Sequence, residues 1–332
     1  MPRGAGSGAP MRGIRMPRSV LLTIPVQRRP EEAEIPEEAF DACVIGHVAR
    51  DINTIGGTAH EPRPGGAAYY STMVYTHLGL RTAVLTKVAD EDEPMLLQEL
   101  RAAGAAIFNR PTATTTTFRN IYPRENADAR RQRVDARADR LGVEDLPPIR
   151  ARIWQIGPLT DQDIDLAIIA RCAGAGGAVG MDVQGLTRRI VAGEVRPSDP
   201  MGGADHLRHV DVLKADEEEI LTYTGCLTVD DAIAKVRGAG GREVLITRGS
   251  RGSVVFGDGD ALAIEAVPPR RIADATGCGD TYLAAYMAHR LTGADRAACA
   301  RFAAAAASLN LETLGAFRGS AADIAARRTG LD

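Results

Sequence analysis

The chain has 332 residues, 45% hydrophobic and 25% charged, with a formal net charge of −3, enough apolar material for one large α/β domain or two smaller ones. The charge balance gives no basic surface for nucleic acid, and no apolar run approaches the ~18 residues of a membrane span. The cysteines Cys43, Cys172, Cys226, Cys278 and Cys299 are odd in number and form no metal-type pairs, which fits a reducing, cytoplasmic setting.

In chain order, residues 1–38 differ in kind from the rest. Pro, Gly and Arg come first, then acidic residues from Glu31 to Glu38, a composition expected of a mobile extension. The apolar run from Val20 to Val26 has the flavour of a signal peptide, but it is brief, contains Pro25 and lacks a small-x-small cleavage site. Met11 and Met16 leave a later start open.

From Asp41 onward, β-branched runs alternate with amphipathic stretches. Strands are predicted over 42–45, 82–88, 152–156, 178–182, 210–213, 244–247 and 253–256. Helices are predicted over 67–77, 94–103, 161–172, 216–224 and 229–237, with Thr228 capping the last and Gly225 ending the one before. Such alternation predicts a doubly wound, mainly parallel sheet with helices on both faces. Two segments, 50–64 and 107–140, lack helical periodicity. The second carries Thr112 and Thr114 to Thr117 ahead of Phe118, and both suit a small β-sheet closing over a ligand as a lid.

Several loops stand where open α/β sheets place ligands, at the carboxyl ends of strands. Asp51 and Asn53 follow the first strand; a carboxylate there can accept two hydrogen bonds from neighbouring hydroxyls, and it equally suits a turn. Gly65 and Gly66 open the first helix, as a plain helix start or as a close backbone approach to a ligand. Asp182 and Gln184 lie in a turn with Gly185. Asp216 to Glu219 form an acidic first helical turn that the helix dipole favours. Thr247, Gly249 and Gly252 lie in a glycine-containing hairpin.

The most informative stretch is Asp274-Ala275-Thr276-Gly277-Cys278-Gly279-Asp280, ahead of a helix. Its glycines let the backbone approach a ligand while the helix start offers unpaired N–H groups to an anion. A carboxylate in an anion site is unfavourable unless it serves the chemistry, for example by taking the proton of a hydroxyl that attacks phosphorus. An ordinary helix-start aspartate is the other reading.

In Asp274, Thr276, Gly277, Cys278, Gly279 and Asp280 the chain resembles the nucleotide-site signature of the ribokinase-like (PfkB) carbohydrate kinases, with Ala275 where Thr is frequent. The resemblance implies ATP and Mg²⁺, with a monovalent cation and a homodimer left open. It implies Asp280 as base, and backbone N–H groups of Gly277, Cys278 and Gly279 facing the transferred phosphoryl. Asp51, Asn53, Gly65, Gly66, Asp182 and Gln184 would then hold the acceptor, and Thr247, Gly249, Gly252, Thr276 and Asn310 the nucleotide. Asp216 and Glu219 match the family's Asn-x-x-Glu, which holds magnesium through its waters, but with Asp for Asn. Ala67 and Tyr70 stand where ribokinases carry Lys and Asn, which disfavours ribose. The motifs around Asp51, Gly65 and Asp182 are similar to a subgroup that includes myo-inositol kinases. The expected activity is phosphorylation of a small polyol or sugar, with a nucleoside as alternative acceptor. A silent sugar sensor is the alternative of another class. A dinucleotide oxidoreductase is disfavoured because Gly46-His47-Val48 follows the first strand in place of Gly-x-Gly-x-x-Gly.

Overall fold

The computed structural model describes residues 38–55, 58–122, 131–199, 204–257 and 259–329. The reading of residues 1–38 as an extension therefore lies outside the described residues, save that Glu38 already begins the first strand. Among the described residues the main sheet has nine strands. In spatial order they are Asp260–Ile264, Ser253–Gly257, Glu243–Thr247, Val212–Asp216, Ala178–Asp182, Ile149–Ile156, Glu38–Ile45, Thr82–Thr86 and Ala106–Asn109. Pairing is parallel from Glu243–Thr247 to Ala106–Asn109, and the first two strands add an antiparallel edge.

Alternation along each strand builds two cores, one per face, because successive side chains point to opposite sides. In the first strand Ala42 and Val44 pack with the helices Ala67–His77, Cys278–Arg290 and Arg296–Leu311, while Cys43 and Ile45 pack with Ala167–Gly174, Glu217–Thr224 and Val229–Gly238. The small residues Ala303, Ala305 and Ala306 are fully buried, letting two helices lie close.

A second sheet is ordered Arg188–Val191, Glu194–Pro197, Arg131–Ala136, Thr117–Tyr122, Ala49–Ile55 and Thr58–Ala59, with Arg63–Gly65 also paired to Ala49–Ile55. The segments predicted to be β-rich supply most of it, except that 107–109, expected in the lid, fall in Ala106–Asn109 and extend the main sheet instead, where they pair with Thr82–Thr86. The hairpin Arg188–Val191 with Glu194–Pro197 is an addition that the sequence reading lacks. Its residues alternate polar with Ile190 and Val195, which pack on a small core with Phe118 and Val134.

Several element boundaries differ from expectation: the strand predicted over 82–88 ends at Thr86, the one over 152–156 begins at Ile149, and three others shift or split. The helix predicted from 161 begins only at Ala167, because the Asp163 carboxylate accepts from Leu159 N, Thr160 N and Thr160 Oγ1 and holds the preceding turn. The one predicted over 94–103 splits into Glu93–Leu96 and Gln98–Ala102, and Leu96 and Leu97 are both fully buried side by side. The strand predicted over 210–213 runs Val212–Asp216, so Lys214 lies inside the sheet.

Candidate active site

The helix Cys278–Arg290 starts from Gly277, whose backbone is left-handed (φ 75°). An ideal Cβ there would fall 2.3 Å from the Tyr70 ring, so a close approach and a positive φ both call for glycine. The loop before it is braced: Asp274 accepts from Thr276 N at 2.9 Å, and Asn310 Nδ2 donates to Thr276 O at 3.1 Å and to Cys278 Sγ at 3.3 Å. Thr276, Gly277, Cys278, Gly279 and Asp280 line a cavity of about 200 Å³. The first-turn N–H groups of a helix start have no partners within the helix, which makes this wall suited to an anion.

Opposite the helix start lies a charged cluster fixed by sheet register. Asp182 and Lys214 pair across neighbouring parallel strands, which sets their side chains on one face, with Lys214 Nζ 3.0 Å from Asp182 Oδ2 and 3.6 Å from Glu219 Oε2. Asp216 caps the next helix and Glu219 reciprocates, each carboxylate accepting the other's backbone N–H at 2.7–2.8 Å. Gln184 Nε2 donates to Glu219 Oε1 at 3.1 Å. Burial, then the charge of Asp182, pushes the Asp280 carboxyl up to about 7, Glu219 adding to the rise and Lys214 and Arg188 opposing it. Burial works against the Lys214 ammonium, but Asp182 and Glu219 outweigh it and hold the group protonated.

The far side of the cavity is built by the second sheet and the first helix. Asp51, Gly66, Tyr70, Phe118 and Gln132 line it. Gly65 does not, and its part is to leave room: a Cβ there would fall 2.1 Å from Asp51 Oδ2. Burial and then the charges of Asp51, Asp274 and Asp280 raise the Tyr70 phenol, so this hydroxyl stands within the field of both the expected acceptor carboxylate and the expected base. Asn53 is engaged elsewhere, in an amide ladder across three strands: Asn120 Nδ2 donates to Asn53 Oδ1 at 3.2 Å and Gln132 Nε2 to Asn120 Oδ1 at 3.0 Å.

The expected nucleotide residues divide. Thr276 lines the cavity and Asn310 braces it from full burial. Thr247 Oγ1 bonds Ala215 O at 3.4 Å, and Gly252 packs on the edge strand, where a Cβ would meet Ile264 O at 2.1 Å. Thr247, Gly249 and Gly252 line neither the cavity above nor a second one of about 240 Å³ beside it. The second cavity is lined by Arg188, Arg196, Asp216, Glu218 and Glu219, and Arg188 borders both. Ile272 and Leu314 are 74% and 61% exposed on adjoining loops, tied by Ala273 N to Leu311 O at 2.7 Å.

Both Glu219 oxygens are taken by protein partners, and no described group of three or more acidic, His or Cys side chains is arranged to cage a metal. That donor set fits Mg²⁺ held through its waters, as the ion usually is, rather than by direct carboxylate ligation.

Sequence reasoning passes over Lys214, Arg188 and Gln132. A charged residue inside the apolar strand Val212-Leu213-Lys214-Ala215 is the signal that finds the first, since an unpaired buried ammonium is costly. The other two lie on strands of the second sheet, where only tertiary pairing turns them inward.

Residues 177–322 match the pfkB family carbohydrate kinase. A ribokinase from Arabidopsis thaliana is 36% identical over 116 residues, 33% of this chain and 31% of that protein, so that match spans about a third of each. A cytidine kinase from Thermococcus kodakarensis is 26% identical over 279 residues, 79% of this chain and 92% of that protein. Among solved structures, a pyrophosphate-dependent kinase in the ribokinase family, complexed with a pyrophosphate analog and myo-inositol, superposes with a TM-score of 0.75 at 25% identity, over 86% of this chain and 99% of that one. Residues 177–322 thus carry the match to the PfkB carbohydrate kinases, and the fold is the ribokinase-like α/β fold of the kinases that superpose on it.

Proposed function

With that match and fold as premise, we propose that the protein transfers the γ-phosphoryl of ATP to a hydroxyl of a small polyol or sugar, a myo-inositol-like cyclitol being the first candidate. The observation that carries the reading is the place of Asp280, in the first turn of the helix that opens at Gly277 and on the wall of the cavity, with its proton affinity raised by burial and by Asp182. In the proposed reaction the acceptor hydroxyl gives its proton to Asp280 as its oxygen bonds to phosphorus and the bond to the leaving phosphate breaks. The N–H groups at Gly277 to Gly279 would meet the charge on the moving phosphoryl. Magnesium, held through its waters near Asp216 and Glu219, would neutralise phosphate charge.

ATP as donor is supported by the exposed apolar side chains of Ile272 and Leu314, on loops joined where Ala273 N donates to Leu311 O, a resting surface for a nucleobase that pyrophosphate would not use. Tyr70 and Phe118 favour a second reading for the acceptor, since aromatic walls suit a nucleoside base. Purified protein offered ATP or pyrophosphate against cyclitols, sugars and nucleosides tests both choices by release of ADP or phosphate. A cyclitol or sugar turned over best with ATP supports the first reading; a nucleoside turned over best replaces the acceptor, and turnover with pyrophosphate alone replaces the donor.

Asp51 is proposed to accept hydrogen bonds from two acceptor hydroxyls. Asp51→Ala should weaken kcat/KM for the acceptor by the worth of charged hydrogen bonds, roughly 1.5–3 kcal/mol, and leave ATP binding nearly unchanged. Unaltered acceptor kinetics would place the pocket elsewhere.

The second sheet is proposed to act as a lid that keeps water from competing with the acceptor. Amide exchange should slow in Ala49–Ile55, Thr117–Tyr122 and Arg131–Ala136 when the acceptor is added, more than in the helices of the main sheet. Equal protection with and without acceptor would make this sheet a fixed structural element.

A further inference from the structure

We infer that Lys214 is a catalytic residue: its ammonium contacts the phosphoryl group in transit between the donor and the acceptor. The inference rests on the proposed kinase reaction and concerns a side chain outside the glycine loop and the base.

Lys214 is 3% exposed, yet it lines the cavity, so the little surface it keeps faces the ligand space. Its Nζ is anchored by Asp182 at 3.0 Å and approached by Glu219 at 3.6 Å. An ammonium carries three donors, so two carboxylates leave a third direction open. The ammonium also lies against the first turn of the helix beside Asp280, since a Cβ at Gly279 would fall 2.7 Å from Lys214 Nζ. Gly279 has no positive φ to call for glycine, and a glycine inside a helix costs about 1 kcal/mol against alanine. What glycine gives here is room next to the ammonium.

Charge balance points the same way. Asp51, Asp182 and Asp280 line the cavity with Glu219 close behind Lys214, and carboxylates alone would repel a phosphate there; Lys214 and Arg188 are the cations that border it. Of the two, Lys214 lies 3.0 Å from Asp182, 3.6 Å from Glu219 and in the field of Asp280. A lysine serving only to neutralise carboxylates in a core would neither border the cavity nor keep a side chain off position 279. In the transfer, one bond forms from the acceptor oxygen to phosphorus and one breaks to the leaving oxygen. The hydroxyl proton goes to Asp280, and Lys214 stays protonated throughout, donating to a phosphoryl oxygen whose charge grows as the group moves.

The test compares Lys214→Met/Asp182→Asn with Asp182→Asn alone, so that the buried charge lost with the lysine is compensated. The expected result is that the pair variant melts close to Asp182→Asn, binds ATP with the same affinity and has a similar acceptor KM, but loses a further ~10²-fold or more in kcat. Equal kcat in the two variants overturns the inference and makes Lys214 a structural ion-pair partner. A measurement on the unaltered protein stands apart from any folding defect: a crystal structure with ADP, magnesium and aluminium fluoride. Lys214 Nζ within about 3 Å of a fluoride supports the role, and a separation beyond hydrogen-bond reach overturns it. Should the protein neither bind ADP with aluminium fluoride nor phosphorylate any acceptor, the kinase reading itself falls. Binding without the lysine contact removes only the assignment of Lys214.

Discussion

Asp280→Asn is expected to lower turnover by roughly 10²- to 10⁴-fold while ATP still binds, because the amide keeps the shape of the carboxylate and cannot accept the proton. The pH dependence should follow the same group. Asp280 is pushed up to about 7, so kcat/KM of the unaltered protein should rise with pH through that region, where the base becomes ionised, and fall away in acid. Stability should move the opposite way. A carboxyl whose folded value lies above the unfolded one holds more protons when folded, so its stabilising share is full in acid and is lost as pH rises through about 7. The asparagine variant cannot ionise there. It should therefore melt higher than the unaltered protein at about pH 8, and the gap should close near pH 4. Steady-state kinetics and thermal melts over this range read both effects. Near-normal turnover in the variant would refute the base.

Gly277→Ala should damage both fold and chemistry. The backbone at 277 is left-handed, which costs a residue with a Cβ about 1–2 kcal/mol, and the new methyl would press on the Tyr70 ring at 2.3 Å. Tyr70 is 5% exposed and lies edge-on to Tyr69 with centroids 5.2 Å apart, so it has little freedom to yield. Either the helix start shifts or the ring enters the cavity, and both spoil the anion wall. Denaturant unfolding should show a loss of about 1–3 kcal/mol, and turnover should drop by ~10²-fold or more. A variant that keeps its turnover would mean that the N–H groups here do not face the phosphoryl.

Local signals carried much of this into the sequence. The glycine signature with Asp280 is contiguous, and strand-helix alternation with a Gly-Gly helix start needs no tertiary knowledge, so the doubly wound fold and one wall of the cavity were legible. Asp51 and Asp182 were legible because strand ends in such sheets face the ligand edge. Gln132 was not: its strand has exposed Arg131 and Arg133 on either side, and only pairing with Thr117–Tyr122 turns it toward the cavity. Lys214 was lost through a three-residue error in a strand end, since a lysine placed after a strand reads as solvated. Thr247, Gly249 and Gly252 fit a nucleotide segment by spacing, and the glycine at 252 is also called for by its φ of 81° and its approach to Ile264 O, so fold and site ask for the same residue there.

The central claim is that this cavity joins phosphorus to an acceptor hydroxyl, and ³¹P NMR of the protein with ATP, magnesium and the polyol, sugar and nucleoside panel tests it most directly. The expected result is a new phosphomonoester signal that grows in step with ADP and is abolished in Asp280→Asn. ADP formed with inorganic phosphate alone, or ATP left unchanged beside every acceptor, would contradict it.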